Sequence, residues 1–327
     1  MEALTRPFLD TLTGRILAVS FLPTAGGACY LLALVLAGTP RHSLSAARLW
    51  RNASSLSLTE VAILLVATLA VGIVFGSVQL LVVRGLSGDL PPPLSTVGRR
   101  YQRWRRRRLA SKIMLSRESL IGEEVVRDAG LAAARLQSRF PGSDHVVRAT
   151  ALGNVLAAIH DHAGRVYGYD PVVAWPHLYP VLSTQVKTLV DDRRDLLDAA
   201  SRTCATWLVV GFAAAFLVPF GGDWFLSVGI AAGVATMSYY TAVAAAVAYG
   251  ESVTVAFAVH RFDLLNALHL PLPADEDSER MANEALSRHW RQGTPVRVPY
   301  THESLVSVSV AGLGPPGTTG GGPFARA

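Results

Sequence analysis

An uncharged apolar run from Val61 to Val83 is followed, about 15 residues on, by the segment Arg99-Arg100-Tyr101-Gln102-Arg103-Trp104-Arg105-Arg106-Arg107-Arg108. A run of that length can cross a bilayer, and basic residues close behind a span mark its cytoplasmic end. No other feature constrains the fold as tightly, because it predicts both a membrane protein and its orientation.

Composition supports the same class. Half of the 327 residues are apolar, only 17% are charged, and the mean hydropathy is positive, a balance that points away from an ordinary soluble domain. The net charge of +6 is local, since seven arginines fall between Arg99 and Arg108. Arginine outnumbers lysine 28 to 2, which with the alanine richness reads as the composition of a GC-rich bacterial genome rather than as function. Cys29 and Cys204 lie in or beside apolar stretches and build neither a disulfide framework nor a zinc pattern. The polar leader before the first apolar run carries Glu2 and Asp10, so an uncleaved first span is expected rather than a signal peptide.

Four stretches lack Asp, Glu, Lys and Arg: Ile16 to Ala37, Val61 to Val83, Cys204 to Phe220, and Trp224 to about Ala242. A charge at the bilayer centre costs roughly 2.5 to 3.5 kcal/mol on insertion scales, so all four are expected to be spans. Trp207, Trp224 and the Tyr239-Tyr240 pair suit an aromatic belt at the interfaces. The arginine cluster sets the segment between spans two and three inside, hence both termini inside the cytoplasmic membrane and the loops Gly38 to Glu60 and Gly221 to Asp223 outside. Three scattered arginines in the first outer loop, Arg41, Arg48 and Arg51, are outweighed by the seven clustered ones. Gly72 and Gly76 in span two and Gly229 and Gly233 in span four form small-xxx-small patterns; packing within the bundle is the preferred reading, and a homo-oligomer face is the alternative.

The expected organisation is all-α: a first transmembrane hairpin over 1–90, a helical cytoplasmic domain over 91–183, a long helical hairpin over 184–270, an amphipathic helix over 271–292 and a disordered tail over 293–327. After the breaker Gly88-Asp89-Leu90-Pro91-Pro92-Pro93, a helix is expected from about Tyr101 to Phe140, interrupted near Gly122. Ser143 or Asp144 should cap the next, whose Leu152, Val155, Leu156 and Ile159 form one apolar stripe. Ser183 or Thr184 should cap a helix that runs into span three, and span four should continue to Pro271.

Candidate functional residues follow from position. Arg99, Arg100, Arg103, Arg105, Arg106, Arg107 and Arg108 are expected to contact anionic lipid, because each juxtamembrane basic residue gains about 1 kcal/mol there; the same position argues against nucleic acid, despite the interleaved Tyr101 and Trp104. The segment from Tyr167 to Pro180 has three prolines that should prevent a regular helix and four aromatics with surface to bury. It reads first as an ordered connector and secondly as a partner site, with Tyr169, Trp175 and Tyr179 as the contacts. His160-Asp161-His162 lacks the four-residue spacing of paired metal ligands, so no metal and no cofactor are expected. Glu251, His260 and Asp263 are expected to pair with Arg193, Arg194 or Arg202.

The order Leu152-Gly153-Asn154, then Tyr167-Gly168-Tyr169-Asp170, then Trp175-Pro176-His177-Leu178-Tyr179-Pro180 resembles that of uncharacterised bacterial membrane proteins of similar size, in which this signature precedes a pair of spans. The resemblance covers about Leu152 to Leu182 and loosely the hairpin after it. It implies architecture and no catalytic residue. The function expected from the sequence is therefore a non-enzymatic membrane anchor or scaffold whose cytoplasmic part binds a protein partner and anionic lipid. The alternative is a transporter or channel subunit, and a membrane enzyme ranks third, requiring His160, His162, Glu251 or Asp263 to converge in one cavity.

Overall fold

The structure, a computed structural model, describes residues 22–64, 66, 81–118, 123–295 and 300–301. Most of the predicted second span, with Gly72 and Gly76, and most of the predicted tail lie outside the described residues. The described chain is all-helical: α1 (Leu22–Leu36), α2 (Ala46–Ser54), α3 (Leu94–Glu118), α4 (Glu123–Arg139), α5 (Ala151–His162), α6 (Pro171–Leu178), α7 (Thr184–Leu217), α8 (Gly222–Ala267) and α9 (Glu276–Gln292). Two of these, α7 and α8, are long and apolar enough to cross a membrane.

At 34 and 46 residues, α7 and α8 would extend roughly 50 and 70 Å, well beyond an apolar bilayer core of about 30 Å. Ser183 caps α7 through its side chain, and Val218 to Gly221 turn the chain back into α8. The helices run antiparallel, with Trp224 Nε1 donating to the Ala215 carbonyl at one end (3.0 Å) and His260 meeting Ser183 at the other. Small residues make the seam: Ala205, Ala214, Ala231, Ala235 and Ala242 are all buried. Large apolar residues of the same stretch, Phe212, Phe216, Phe225, Leu226 and Met237, point outward and are more than half exposed. Small-in, large-out is the inverse of a water-soluble helix pair.

Helix α1 lies parallel to α7, and a Cβ on Gly27 would come within 2.8 Å of Val210. Leu34 packs with Ala214 and Val218, and Tyr30 donates to the Ser227 carbonyl (2.8 Å). The Leu44 amide donates to Asp223 (2.8 Å), so the two loops read as outer ones meet on one side.

Below the apolar section, α5, α6 and α9 form a collar around the second half of α8. Leu152 and Val155 of α5 pack with Leu197, Ala242 and Ala246, and Tyr169, Leu178 and Val190 surround Phe257 and Leu264. The collar is fastened at its top, where the Ala151 and Leu152 amides donate to the Tyr239 hydroxyl oxygen (3.0 and 3.3 Å) and Thr150 donates to the Leu86 carbonyl (2.6 Å). Two orphan donors of the α5 N-terminus are thereby satisfied from α8.

Three local expectations are corrected. Helix α3 begins at Leu94, immediately after the proline breaker, rather than at Tyr101. Thr150, not Ser143 or Asp144, caps α5 by accepting from the Gly153 amide (3.0 Å), while Asp144–Val146 forms its own 3-10 turn. The proline segment is helical after all: Asp170 caps α6, Pro171 occupies the first helical position where no amide hydrogen is needed, and Pro176 falls only two residues before the end.

Gly153 is fixed by close approach, since a Cβ there would stand 2.3 Å from the Ser87 carbonyl oxygen. Gly153→Ala is expected to lower unfolding stability by about 1 to 3 kcal/mol. Gly130→Ala, on an exposed helix position with nothing within 4 Å, should instead gain about 0.5 to 1 kcal/mol. Thermal melts of the detergent-purified chain read both.

Candidate functional site

The arginine helix has two unlike faces. Ser95 and Gln102 are buried, and a Cβ on Gly98 would meet the Ala149 carbonyl at 2.6 Å, so this side is pressed against the collar. On it, Arg103 donates to the Asp144 carbonyl (3.2 Å) and Arg106 reaches the Asp144 carboxylate and the Gly142 carbonyl. Arg107 lies 3.6 Å from the same carboxylate. The other side carries Leu94, Val97, Tyr101 and Trp104 at three-four spacing, all more than half exposed. Arg105 lies 6.0 Å from the Tyr101 ring and Arg108 5.4 Å from the Trp104 ring, with Arg99 and Arg100 exposed nearby. Of the seven arginines, Arg103 and Arg106 are thus bound chiefly to the 142–144 turn.

Contacts fix the direction of this helix. Gly98 abuts Ala149, beside the α5 N-terminus at Tyr239, whereas Arg106 meets Gly142, whose amide donates to Asp161 at the far end of α5 (2.7 Å). The eight-residue step from Gly98 to Arg106 descends about 12 Å along the collar.

The proline segment is held from both sides. Tyr169 is only 2% exposed, its ring tilted against that of Phe257 with centroids 5.9 Å apart, so the structure places this predicted partner contact inside the core. Burial pushes its phenol well above the ordinary value, and its hydroxyl has no hydrogen-bond partner among the described residues. Trp175 and Tyr179 are half-buried; Tyr179 donates to Asp191 (2.7 Å) under the Lys187 ammonium (4.8 Å). Helix α9 closes the outside: Arg291 pairs with Asp170, Ser287 accepts from the Asp170 amide (3.0 Å), Asn283 donates to the Tyr167 carbonyl (2.8 Å), and Trp290 stacks on His177 at 4.3 Å.

Polar residues weighed for chemistry are distributed rather than assembled. His162 and Glu251 line one cleft of about 440 Å³ between α4, α5 and α8, with His162 Nε2 at 3.1 Å from the Phe140 carbonyl oxygen. His260 and Asp263 stand elsewhere, paired with each other (2.8 Å) and, through His260 Nε2, with the Ser183 hydroxyl (3.2 Å). The expected pairing of His260 with Arg193, Arg194 or Arg202 is not made, because the antiparallel register sets His260 opposite the start of α7. Gly229 and Gly233 are exposed with no described atom within 4 Å of their Cβ positions; alanines, not these glycines, make the α7 contact.

A second cavity, of about 610 Å³, was not anticipated. It opens between the helical segment 81–86, α5, α6, α7 and α8: Val83, Leu152 and Leu156 give it an aliphatic lining, α7 contributes Leu197 together with Arg194, Asp198, Ser201 and Arg202, and Ser87, Trp175 and Tyr249 complete it. Arg194, Asp198 and Arg202 are four residues apart, one stripe of α7, a spacing legible in the sequence. Burial pushes the Asp198 carboxyl up, against the opposing pull of Arg194 and Arg202.

Two outcomes follow. Tyr169→Phe removes an unsatisfied buried hydroxyl and should leave stability unchanged or raised by about 1 kcal/mol, whereas Tyr179→Phe loses the Asp191 hydrogen bond and should cost about that much; urea unfolding separates them. With its folded pKa raised, Asp198 holds its proton longer in the native chain than in the unfolded one, so its contribution to stability falls as pH rises out of the ordinary carboxylate range. Asp198→Asn should therefore melt higher than wild type at neutral pH, and the gap should close toward about pH 3.5. A scan of the chain against models of known protein families matches none of them, and comparison with curated proteins and with solved structures returns no relative.

Proposed function

We propose that this chain is a non-enzymatic anchor of the cytoplasmic membrane, with four spans and both termini inside, whose cytoplasmic collar docks a protein partner and touches anionic lipid. The observation that carries the reading is the outward stripe Leu94-Val97-Tyr101-Trp104 on α3. This helix turns Ser95, Gln102 and Arg106 toward its own protein and offers apolar and aromatic side chains to the outside. Such an exposed stripe, flanked by guanidiniums, suits a surface that is covered in use. The outward Phe and Leu side chains of α7 and α8 support the membrane part of the proposal, since lipid is the solvent in which they cost nothing.

The descent of α3 divides the arginines between two targets. Arg99 and Arg100 lie at the level of Ala149 and the Tyr239 hydroxyl, where headgroups would be. Arg105 and Arg108 lie about 8 to 14 Å lower, at or beyond the roughly 8 Å screening length of physiological salt, and face the partner together with Tyr101 and Trp104. An acidic amphipathic helix has the matching chemistry.

A photoreactive residue at position 104 should capture a protein in native membranes, and Tyr101→Ala with Trp104→Ala should abolish the capture without releasing the chain from the membrane. Arg99→Gln with Arg100→Gln should weaken binding of the detergent-purified chain to anionic vesicles by on the order of tenfold. Repeated captures without a protein, together with unchanged lipid binding, would sink the proposal. A reporter fused after Asp89 that is active only on the outer side would reverse the orientation.

A further inference from the structure

We infer that the cavity beside α7 binds one anionic amphiphile, its phosphate-bearing headgroup held by Arg194 and Arg202 and its acyl chain laid against Leu152, Leu156 and Leu197. This deepens the proposed function: it rests on the membrane reading of α7 and α8 and is independent of the docked partner.

The chemistry of the walls specifies the ligand. Two guanidiniums two turns apart on one helical stripe, with one carboxylate between them, leave the polar wall with a positive balance. Guanidinium matches phosphate oxygens through paired donors, and Ser201, one residue from Arg202, adds a hydroxyl. Val83, Leu152, Leu156 and Leu197 add an aliphatic lining that a free ion would leave unfilled. A volume of about 610 Å³ accommodates a headgroup and the first part of a chain. Trp175 and Tyr249, amphipathic rings suited to a boundary between water and hydrocarbon, complete the lining.

Position points to the same source. The charged stripe ends at Arg202, two residues before Cys204, where α7 becomes uncharged. The cavity top is therefore at the level where headgroups of the surrounding leaflet would lie. Its walls are fastened in place, since Thr150 ties the top of α5 to Leu86, and Gly153 sits against Ser87, itself part of the lining.

Native mass spectrometry of the detergent-purified full chain tests this. Phosphatidylglycerol and phosphatidylcholine with identical acyl chains are the probes, and inorganic phosphate is the competitor. Wild type should retain one phosphatidylglycerol in preference to phosphatidylcholine by on the order of tenfold. Arg194→Gln with Arg202→Gln should erase that preference, and Asp198→Asn should strengthen retention by removing a like charge. Leu156→Trp should block retention of both lipids by filling the cavity. Millimolar inorganic phosphate should not displace the lipid; displacement would make the site one for a small anion and overturn the lipid assignment. Equal retention by wild type and the double arginine variant, or weaker retention by Asp198→Asn, would also overturn it. Alkaline carbonate extraction separates the two levels: a chain that washes off loses the membrane reading, whereas one that stays but holds no phosphatidylglycerol loses only this inference.

Discussion

The seam between α7 and α8 is the contact on which the other elements depend. A helix as long as α8 has to satisfy two surroundings along one continuous backbone, and its side-chain pattern changes accordingly. Over the upper section the seam is alanine and the outside is phenylalanine, leucine and methionine; over the lower section Val253, Phe257 and Leu264 turn inward to meet a collar. Close approach of α7 and α8 leaves little room for anything between them. The helices α1, α5, α6 and α9 pack around the pair instead, and the Tyr239 hydroxyl, projecting from α8 at the change of character, is a point to which the collar is fixed.

The resembling signature gains a physical meaning from this arrangement. Gly153 admits the Ser87 backbone, and Asn154, fully buried, ties the 148–150 turn through its amide to the Arg148 and Thr150 carbonyls and through its oxygen to the Arg148 amide. Gly168 adopts a positive φ, and a Cβ there would strike the Arg280 backbone. Asp170 and Pro171 start α6, Leu178 fills the core, and Tyr179 reaches Asp191. Most of these residues hold the turns and short helix of the collar in place, while Leu152 and Trp175 of the same signature line the cavity beside α7.

Much of this was legible before the structure and some was not. The α7 and α8 helices could be read from unbroken apolar runs and from Ser183 as a cap, because those signals are local in sequence. The seven arginines misled as a block: in linear order they are one charge, but helical periodicity turns Arg103 and Arg106 inward and others outward, and only the tertiary position of Asp144 decides which. Tyr169 could be read either as an aromatic of an ordered connector or as a partner contact; the short helix that the prolines permit sets it in the core beside Phe257. The stripe Arg194-Asp198-Arg202 was present in the spacing all along. It carried no signal until α5 and α6 supplied the opposite wall, since a cavity is a property of several elements and of no single one.

That opposite wall also bears on what the cavity can do. Binding costs ordering, and a site assembled from mobile pieces loses affinity to that cost. Here the elements around the cavity are fixed independently of any ligand, α5 by Tyr239 and Thr150, α6 by the contacts of Asp170 and Tyr167 with α9, and α7 by its seam with α8. The cleft is thus preformed, with two guanidiniums and the Asp198 carboxylate of α7 beside the aliphatic side chains of α5. An anionic amphiphile of the kind inferred above would meet this arrangement already ordered, and its binding would in turn stabilise the fastened collar.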